Sequence, residues 1–210
     1  MTLTSYTNFA ELTKHEQESV DYRISCYHRN PDMAILAIHG GNIEPGTSEI
    51  ADALGGRIGS STYSFEGLKP RGNQILHIKS SLFNEPSGVL MAANAQTTLT
   101  IHGHRNETDS FVYIGGRNEA FTYYIKHSLN AAGFQTYDAP RHLLGMSASN
   151  ITNRCKIGAG VQLELSTKLR KSLFKGDDFS SNNRINRSDL FHHFVHALEK
   201  GAFTYKRFSE

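Results

Sequence analysis

Apolar and polar positions along the chain fall into two rhythms. Apolar or β-branched runs at 22–28 (YRISCYH), 33–38 (MAILAI), 61–68 (STYSFEGL), 74–79 (QILHIK), 97–102 (TTLTIH), 111–116 (FVYIGG) and 160–165 (GVQLEL) read as strands. Segments of helical period lie at 8–17, 46–55 (GTSEIADALG), 118–133, 166–174 (STKLRKSLF) and 187–203. Thr47 or Ser48 can cap the second helix and Gly55 and Gly56 can close it. Gly133 closes the third, and Ser188 followed by Asp189 opens the last.

This alternation predicts an α/β three-layer sandwich with a mixed, mostly parallel central sheet. The run at 33–38 is apolar on both faces, as a central strand covered on both sides must be. Two hairpin-like segments within 61–79 predict an antiparallel portion, and 175–187 is the best candidate for a mobile loop. No internal repeat or long linker interrupts the pattern, so residues 1–210 are expected to form one domain.

Charge changes the picture mainly by exclusion. The formal net charge of +2 comes from 22 Lys and Arg against 20 Asp and Glu, which is no nucleic-acid footprint. The locally basic stretch 165–187 reads as a solvated helix face. No run approaches the about 18 apolar residues of a membrane span. The N-terminal MTLTSYTNFAELTKHEQ lacks the basic-then-apolar order of a signal peptide. Synthesis in the cytoplasm is expected, with lysis as the route out if the protein acts outside the cell. Cys26 and Cys155 form no spaced pair and are expected to be reduced, a single disulfide being the alternative. With 11 histidines in the chain, no single one is a signal by itself.

Position narrows the field. In open α/β sheets, ligands sit outside the carboxyl ends of the strands. His39 follows the strand at 33–38, His102 ends the one at 97–102, and Glu164 lies near the end of 160–165. A catalytic zinc commonly takes two histidines and a carboxylate and keeps a fourth position open. His39, Glu44 and His102 supply that set, two from one turn and one from another strand. Gly40 and Gly41 allow the tight reversal, and Pro45 restricts Glu44 to extended geometry. His104 competes with His102; the rigidity of a strand end favours His102. Glu164, with Leu163 and Leu165 turned to the opposite face, suits a general base. A buried ion pair is the plain alternative for Glu164, as capping is for His39 and a surface loop for Glu44. Other motifs are weaker: GGR at 115–117 and GAG at 158–160 lack phosphate-loop spacing, HHFVH at 192–196 lacks the zincin glutamate, and GMSAS at 145–149 is not a nucleophile elbow.

With AIHGGNIEPGTSEIA, HGHR, NITNRCKIGAGVQLELS and the C-terminal helix together, the chain resembles the phage poly-γ-glutamate hydrolases over residues 20–200. These are zinc enzymes with a reduced zinc carboxypeptidase-like fold. The resemblance implies His39, Glu44 and His102 as zinc ligands and Glu164 as the catalytic glutamate. One spacing departs: Glu44 follows His39 by five residues, not by three as in ordinary zinc carboxypeptidases. Exopeptidase action is therefore not implied.

The implied substrate is a polyanion with a carboxylate on every residue, which calls for arginine forks. Arg154 is the first choice for a carboxylate clamp or oxyanion donor, followed by Arg105; Arg117 and Arg141 also flank predicted strand ends. The expected activity is zinc-dependent cleavage of γ-glutamyl amide bonds in poly-γ-glutamate, by a phage enzyme stripping a host capsule. The expected partner is that polymer, with no nucleic acid, no membrane and a monomeric state. An amidase of the same fold acting on small acyl-glutamate or cell-wall γ-glutamyl links is the alternative, and a non-enzymatic polymer-binding phage protein is the rival from another class.

Overall fold

Alternate residues of one strand feed two separate cores. On β2 (Asn30–Gly41), Met33, Ile35 and Ala37 join one buried cluster, and Ala34, Leu36 and Ile38 join another. This is what an apolar strand covered on both faces requires. The protein, described over residues 5–209 in a computed structural model, is built around that strand. The first four residues of the stretch read for a leader lie outside the described residues.

Seven strands form one sheet: β1 (Tyr22–Tyr27), β2, β3 (Ser60–Gly67), β4 (Thr97–His104), β5 (Val112–Gly116), β6 (Thr136–Asp138) and β7 (Val161–Ser166), in the order β1-β3-β2-β4-β7-β5-β6. β3, β2, β4 and β7 are mutually parallel, as are β5 and β6; β1 against β3 and β5 against β7 are antiparallel. One face is covered by α2 (Thr47–Ile58), α4 (Glu119–Ala131) and α6 (Asp189–Ser209). The other carries α1 (Phe9–Leu12) and α3 (Pro86–Asn94), and α5 (Thr167–Ser172) follows β7 directly. The mixed, mostly parallel three-layer arrangement is as expected.

Several elements differ from the sequence reading. Residues 74–79 are not a strand: a 3₁₀ turn (Asn73–Leu76) leads into an extended, unpaired stretch. Its alternation is real, since Leu76 and Ile78 enter the second core, but among the described residues no strand pairs with it. The antiparallel portion is therefore not a hairpin within 61–79; it lies at β1/β3 and β5/β7. α3 and β6 were not foreseen. α3 is opened by Glu85, which accepts from the Ser87 and Gly88 amides, with Pro86 at the first position. α2 runs through Gly55 and Gly56 and stops at Gly59, which holds a φ of 65°. Its N-cap is Gly46; Thr47 turns its hydroxyl back to the Glu44 carbonyl instead. α4 and α6 end and begin as predicted, with Gly133 left-handed and the Ser188 hydroxyl accepting from the Phe191 amide.

The basic stretch 165–187 is not simply a solvated face. Arg170 and Arg184 are buried, and Arg184 ties the segment to the body through Glu49 at 2.7 Å and Asn42 at 3.0 Å. Both cysteines are free. Among the described residues, no helix is long and apolar enough to cross a membrane.

Candidate metal centre and active site

The polar face of the sheet is written into β4 and β7. Leu99 and Ile101 of β4 and Val161, Leu163 and Leu165 of β7 all belong to the core under α4 and α6. The intervening positions therefore face the other way, and the register pairs Thr100 with Gln162 and His102 with Glu164. His39 joins them from β2, where the pairing register shifts between Ala37 and Gly40. Such irregularities re-aim side chains next to functional sites.

Four side chains converge at this edge. His39 Nδ1 lies 3.1 Å from His102 Nδ1 and 3.2 Å from Glu44 Oε1, and His102 Nδ1 lies 3.5 Å from Glu44 Oε2. His77, not foreseen as part of the site, brings Nε2 to 3.4 Å from Glu44 Oε1. His39, Glu44 and His77 form a group able to hold a metal ion, with one donor atom from each within 4.8 Å of the others. His77 stacks on His39 with ring centroids 3.7 Å apart and planes 25° apart. Only its occurrence in the polar phase of 74–79 hinted at this; the run's strand-like alternation concealed it.

The donor set suits a tetrahedral divalent metal. Bonds of about 2.0–2.1 Å in a tetrahedron separate neighbouring donors by about 3.3 Å; His39 Nδ1 lies near that distance from both His102 Nδ1 and Glu44 Oε1, and His102 Nδ1 near it from the other carboxylate oxygen, Oε2. His39 Nε2 contacts the Ile78 carbonyl at 2.7 Å, so that nitrogen carries the proton and Nδ1 keeps its lone pair. The Gly103 amide donates to Glu44 Oε2 at 2.8 Å and fixes the carboxylate. Among the described residues, Nε2 of His102 is buried without a hydrogen-bond partner, while its Nδ1 is the atom that faces His39 and Glu44.

Electrostatics agree with that chemistry. Burial, helped by His77, pushes His39 down to about 4, so it is neutral and able to ligate. Burial works against the Glu44 carboxylate, but the surrounding histidines outweigh it and hold the group well below the ordinary carboxylate range. Burial likewise opposes charge on His102, yet its hydrogen bond to Glu44 and the Glu164 carboxylate leave it raised. Glu164, 7% exposed, is pushed up to about 7 by burial. Gln162 Nε2 donates to its Oε1 at 2.9 Å, and Asn150 in turn donates to Gln162 Oε1 at 3.0 Å. A carboxyl poised near neutrality beside a metal-binding cluster is placed for proton transfer.

The cleft above, about 760 Å³, is lined by His39, Glu44, His77, His102, His104 and Glu164, with Lys79, Arg105 and Arg141 supplying positive charge. His104 lines the wall and is not among the closely spaced donors. Two arginine expectations are corrected. Arg117 follows Gly116, which pairs with Val161 at the start of β7; because β5 runs antiparallel, Arg117 is at the opposite edge of the sheet. Arg154 turns off the 3₁₀ turn Ile151–Asn153 and donates to the Phe83 carbonyl at 2.9 Å. It lines a neighbouring groove that meets the cleft at Ser81 and is not among the residues lining the cleft itself. The paired histidines of 192–196 are exposed on α6, where His196 meets Glu199 at 2.9 Å.

A mixed α/β sheet with an imidazole–carboxylate cluster and a raised carboxyl at its strand ends is the construction of a metal-site hydrolase. Residues 6–197 match the family model for poly-gamma-glutamate hydrolase, and the chain belongs to that family. It is 37% identical over 198 residues to the UPF0714 protein YndL of Bacillus subtilis (strain 168), spanning 92% of this chain and 75% of that protein. The SPbeta prophage-derived UPF0714 protein YoqZ of the same organism is 32% identical over 197 residues, 93% of this chain and 70% of that protein. Among solved structures, a bacteriophage poly-gamma-glutamate hydrolase superposes with a TM-score of 0.95 at 32% identity, covering 98% of this chain and 99% of that one. The zinc-free form of YndL superposes with a TM-score of 0.89 at 35% identity, covering 98% of each chain. N-formylglutamate amidohydrolase from Ralstonia eutropha JMP134 shares the fold, with a TM-score of 0.57 at 10% identity, over 89% of this chain and 99% of that one.

Proposed function

We propose that the protein is a zinc-dependent hydrolase that cleaves γ-glutamyl amide bonds of poly-γ-glutamate, with His39, Glu44 and His102 as the metal ligands and Glu164 as the general base. The observation that carries this reading is the convergence of His39 Nδ1, His102 Nδ1 and the Glu44 carboxylate, with contacts of 3.1–3.5 Å between them and Glu164 the register partner of His102. His102 is preferred to His77 as the third ligand on ring geometry. The His102 ring is tilted at 61° to that of His39, with the two Nδ1 atoms 3.1 Å apart. His77 stacks on His39 and is more exposed than the buried His102, so it serves at the outer side of the site.

A bound zinc supplies Lewis acidity, polarising the scissile carbonyl and making water a stronger nucleophile. Glu164 takes the proton from the attacking water and delivers it to the leaving amine. Gln162 holds that carboxylate from behind through its amide. Arg105, exposed at the cleft rim with Lys79 and Arg141 nearby, grips substrate carboxylates. Arg154, one groove away, reaches only a carboxylate further along the polymer. The net charge of +2 is small, so this local patch provides the attraction.

The test pairs metal content with depolymerisation. The purified protein should hold about one zinc per chain and lower the viscosity of poly-γ-glutamate. Glu164→Gln should keep the zinc and lose about 10²–10⁴-fold in rate. A Glu164→Gln protein that depolymerises at the wild-type rate sinks the mechanism. Release of small products from acyl-glutamates without viscosity loss would favour the amidase reading instead.

The wider role we read is a phage enzyme, released by lysis, that strips a glutamate-polymer capsule. Its support is the likeness to a phage hydrolase and to a prophage-derived relative. Capsulated cells treated with the protein should lose their polymer layer; an intact layer after full zinc loading would refute this role.

A further inference from the structure

Arg170 stands out among the charged groups that the proposed mechanism does not use. It is 5% exposed, on the short helix α5, and no carboxylate lies within the 4.0 Å ion-pair distance among the described residues. Its hydrogen bonds go to three points around the site. Nη1 donates to the Pro45 carbonyl at 2.8 Å, Nε to the Leu165 carbonyl at 3.2 Å, and Nη2 to the Thr167 hydroxyl at 3.4 Å. Pro45 is the residue after Glu44, and Leu165 is the residue after Glu164.

The third functional strand is also engaged. Gly103 follows His102, and a Cβ there would come within 2.6 Å of Arg170 Cζ. The guanidinium plane therefore lies against the β4 backbone at the residue whose amide donates to the Glu44 carboxylate. Arg170 also lies over the Phe179 ring, whose centroid is 5.5 Å from Cζ. A rigid planar fork can meet carbonyls from two segments at once while lying flat on a glycine; a lysine cannot.

We infer that Arg170 is a positioning residue for the metal site, locking the turn that carries Glu44 to the end of the strand that carries Glu164, with the backbone after His102 wedged against it. This rests on the reading of the site as a zinc hydrolase. The outer contacts of a metal site commonly set its affinity and ligand orientation, and losing one costs about 10–100-fold.

The experiment compares wild type with Arg170→Lys, Arg170→Met and Gly103→Ala. Zinc affinity is read by chelator competition, the visible spectrum of the cobalt-substituted protein reports ligand geometry, and kcat and KM are measured on poly-γ-glutamate. All three variants should bind zinc about 10–100-fold more weakly, with altered cobalt bands and a loss in kcat larger than the rise in KM. Gly103→Ala keeps the arginine but displaces it, so it carries the test where Arg170→Met fails to fold. The Arg170→Lys/Gly103→Ala double variant should be little worse than the worse single one, since both remove the same contact. Variants that melt at a lower temperature yet keep wild-type zinc affinity and cobalt spectrum overturn the inference and leave Arg170 a purely structural residue. A wild-type protein that neither binds zinc nor depolymerises the polymer overturns the reading of the site and this inference with it.

Discussion

The two faces of β4 and β7 are built from the same two strands and obey opposite rules. On one, Leu99, Ile101, Leu163 and Leu165 disappear into the core beneath α4 and α6. On the other, Thr100, His102, Gln162 and Glu164 form a buried polar stripe, with Gln162 donating to Glu164, Thr100 bonded to Thr152 and His102 in contact with His39. The dry face gains from removing apolar area from water. The polar face pays desolvation on every group and recovers it only through partners. One strand pair thus carries the stability on one side and the chemistry on the other, one residue out of phase.

Substitutions on either face sharpen that contrast. The largest effect expected is from His102→Ala: depolymerisation falls to background and zinc no longer binds stoichiometrically, while the metal-free protein melts close to wild type. Isothermal titration with zinc and a melt of the metal-free protein check both halves. Leu163→Ala does the reverse. It costs about 2–5 kcal/mol of folding stability, measured by urea unfolding, yet the folded fraction keeps wild-type zinc affinity. A smaller effect comes from the cleft rim, where Arg105→Ala raises KM several-fold with kcat little changed. Arg117→Ala at the opposite edge should leave both constants alone, and equal effects of the two would overturn the corrected placement.

The smallest effect is a titration. In metal-free protein the Glu164 carboxyl should titrate near 7, followed by carbon-13 NMR, against an ordinary value of 4.5. Because burial raises this acid, its favourable contribution to stability is complete below 4.5 and is lost as pH rises through about 7. Zinc should move the midpoint down, since a nearby dication favours the carboxylate. A midpoint near 4.5 without metal would mean that the polar stripe is wetter than its burial indicates.

What could be read from the chain was whatever depends on local period and on strand ends. MAILAI and GVQLEL announced buried strands, and the strand-end rule selected His39, His102 and Glu164 from a crowd of histidines and carboxylates. Direction was not legible: nothing in FVYIGG says that β5 runs against β7, and that reversal alone moved Arg117 across the molecule. His77 was hidden because an unpaired extended stretch has the same alternation as a strand. Gln162 was passed over because an amide between apolar neighbours has no signature until its partners, Asn150 and Glu164, are known. Arg170 was lost in a basic run, since burial of one cation among several exposed ones is a tertiary fact.

The bond from His39 to the Ile78 carbonyl joins catalysis to an otherwise ordinary packing residue. Ile78 offers that carbonyl to a side chain because no neighbouring strand claims it, while its own side chain is held in the second core by Leu76, Phe83 and their neighbours. A conservative change deep in that core, which no screen of the cleft would include, can therefore rotate an imidazole on the other side of the backbone. Adaptation of this enzyme to a new temperature or metal supply has a route that leaves every reactive residue in place: retuning the hydrocarbon behind residue 78.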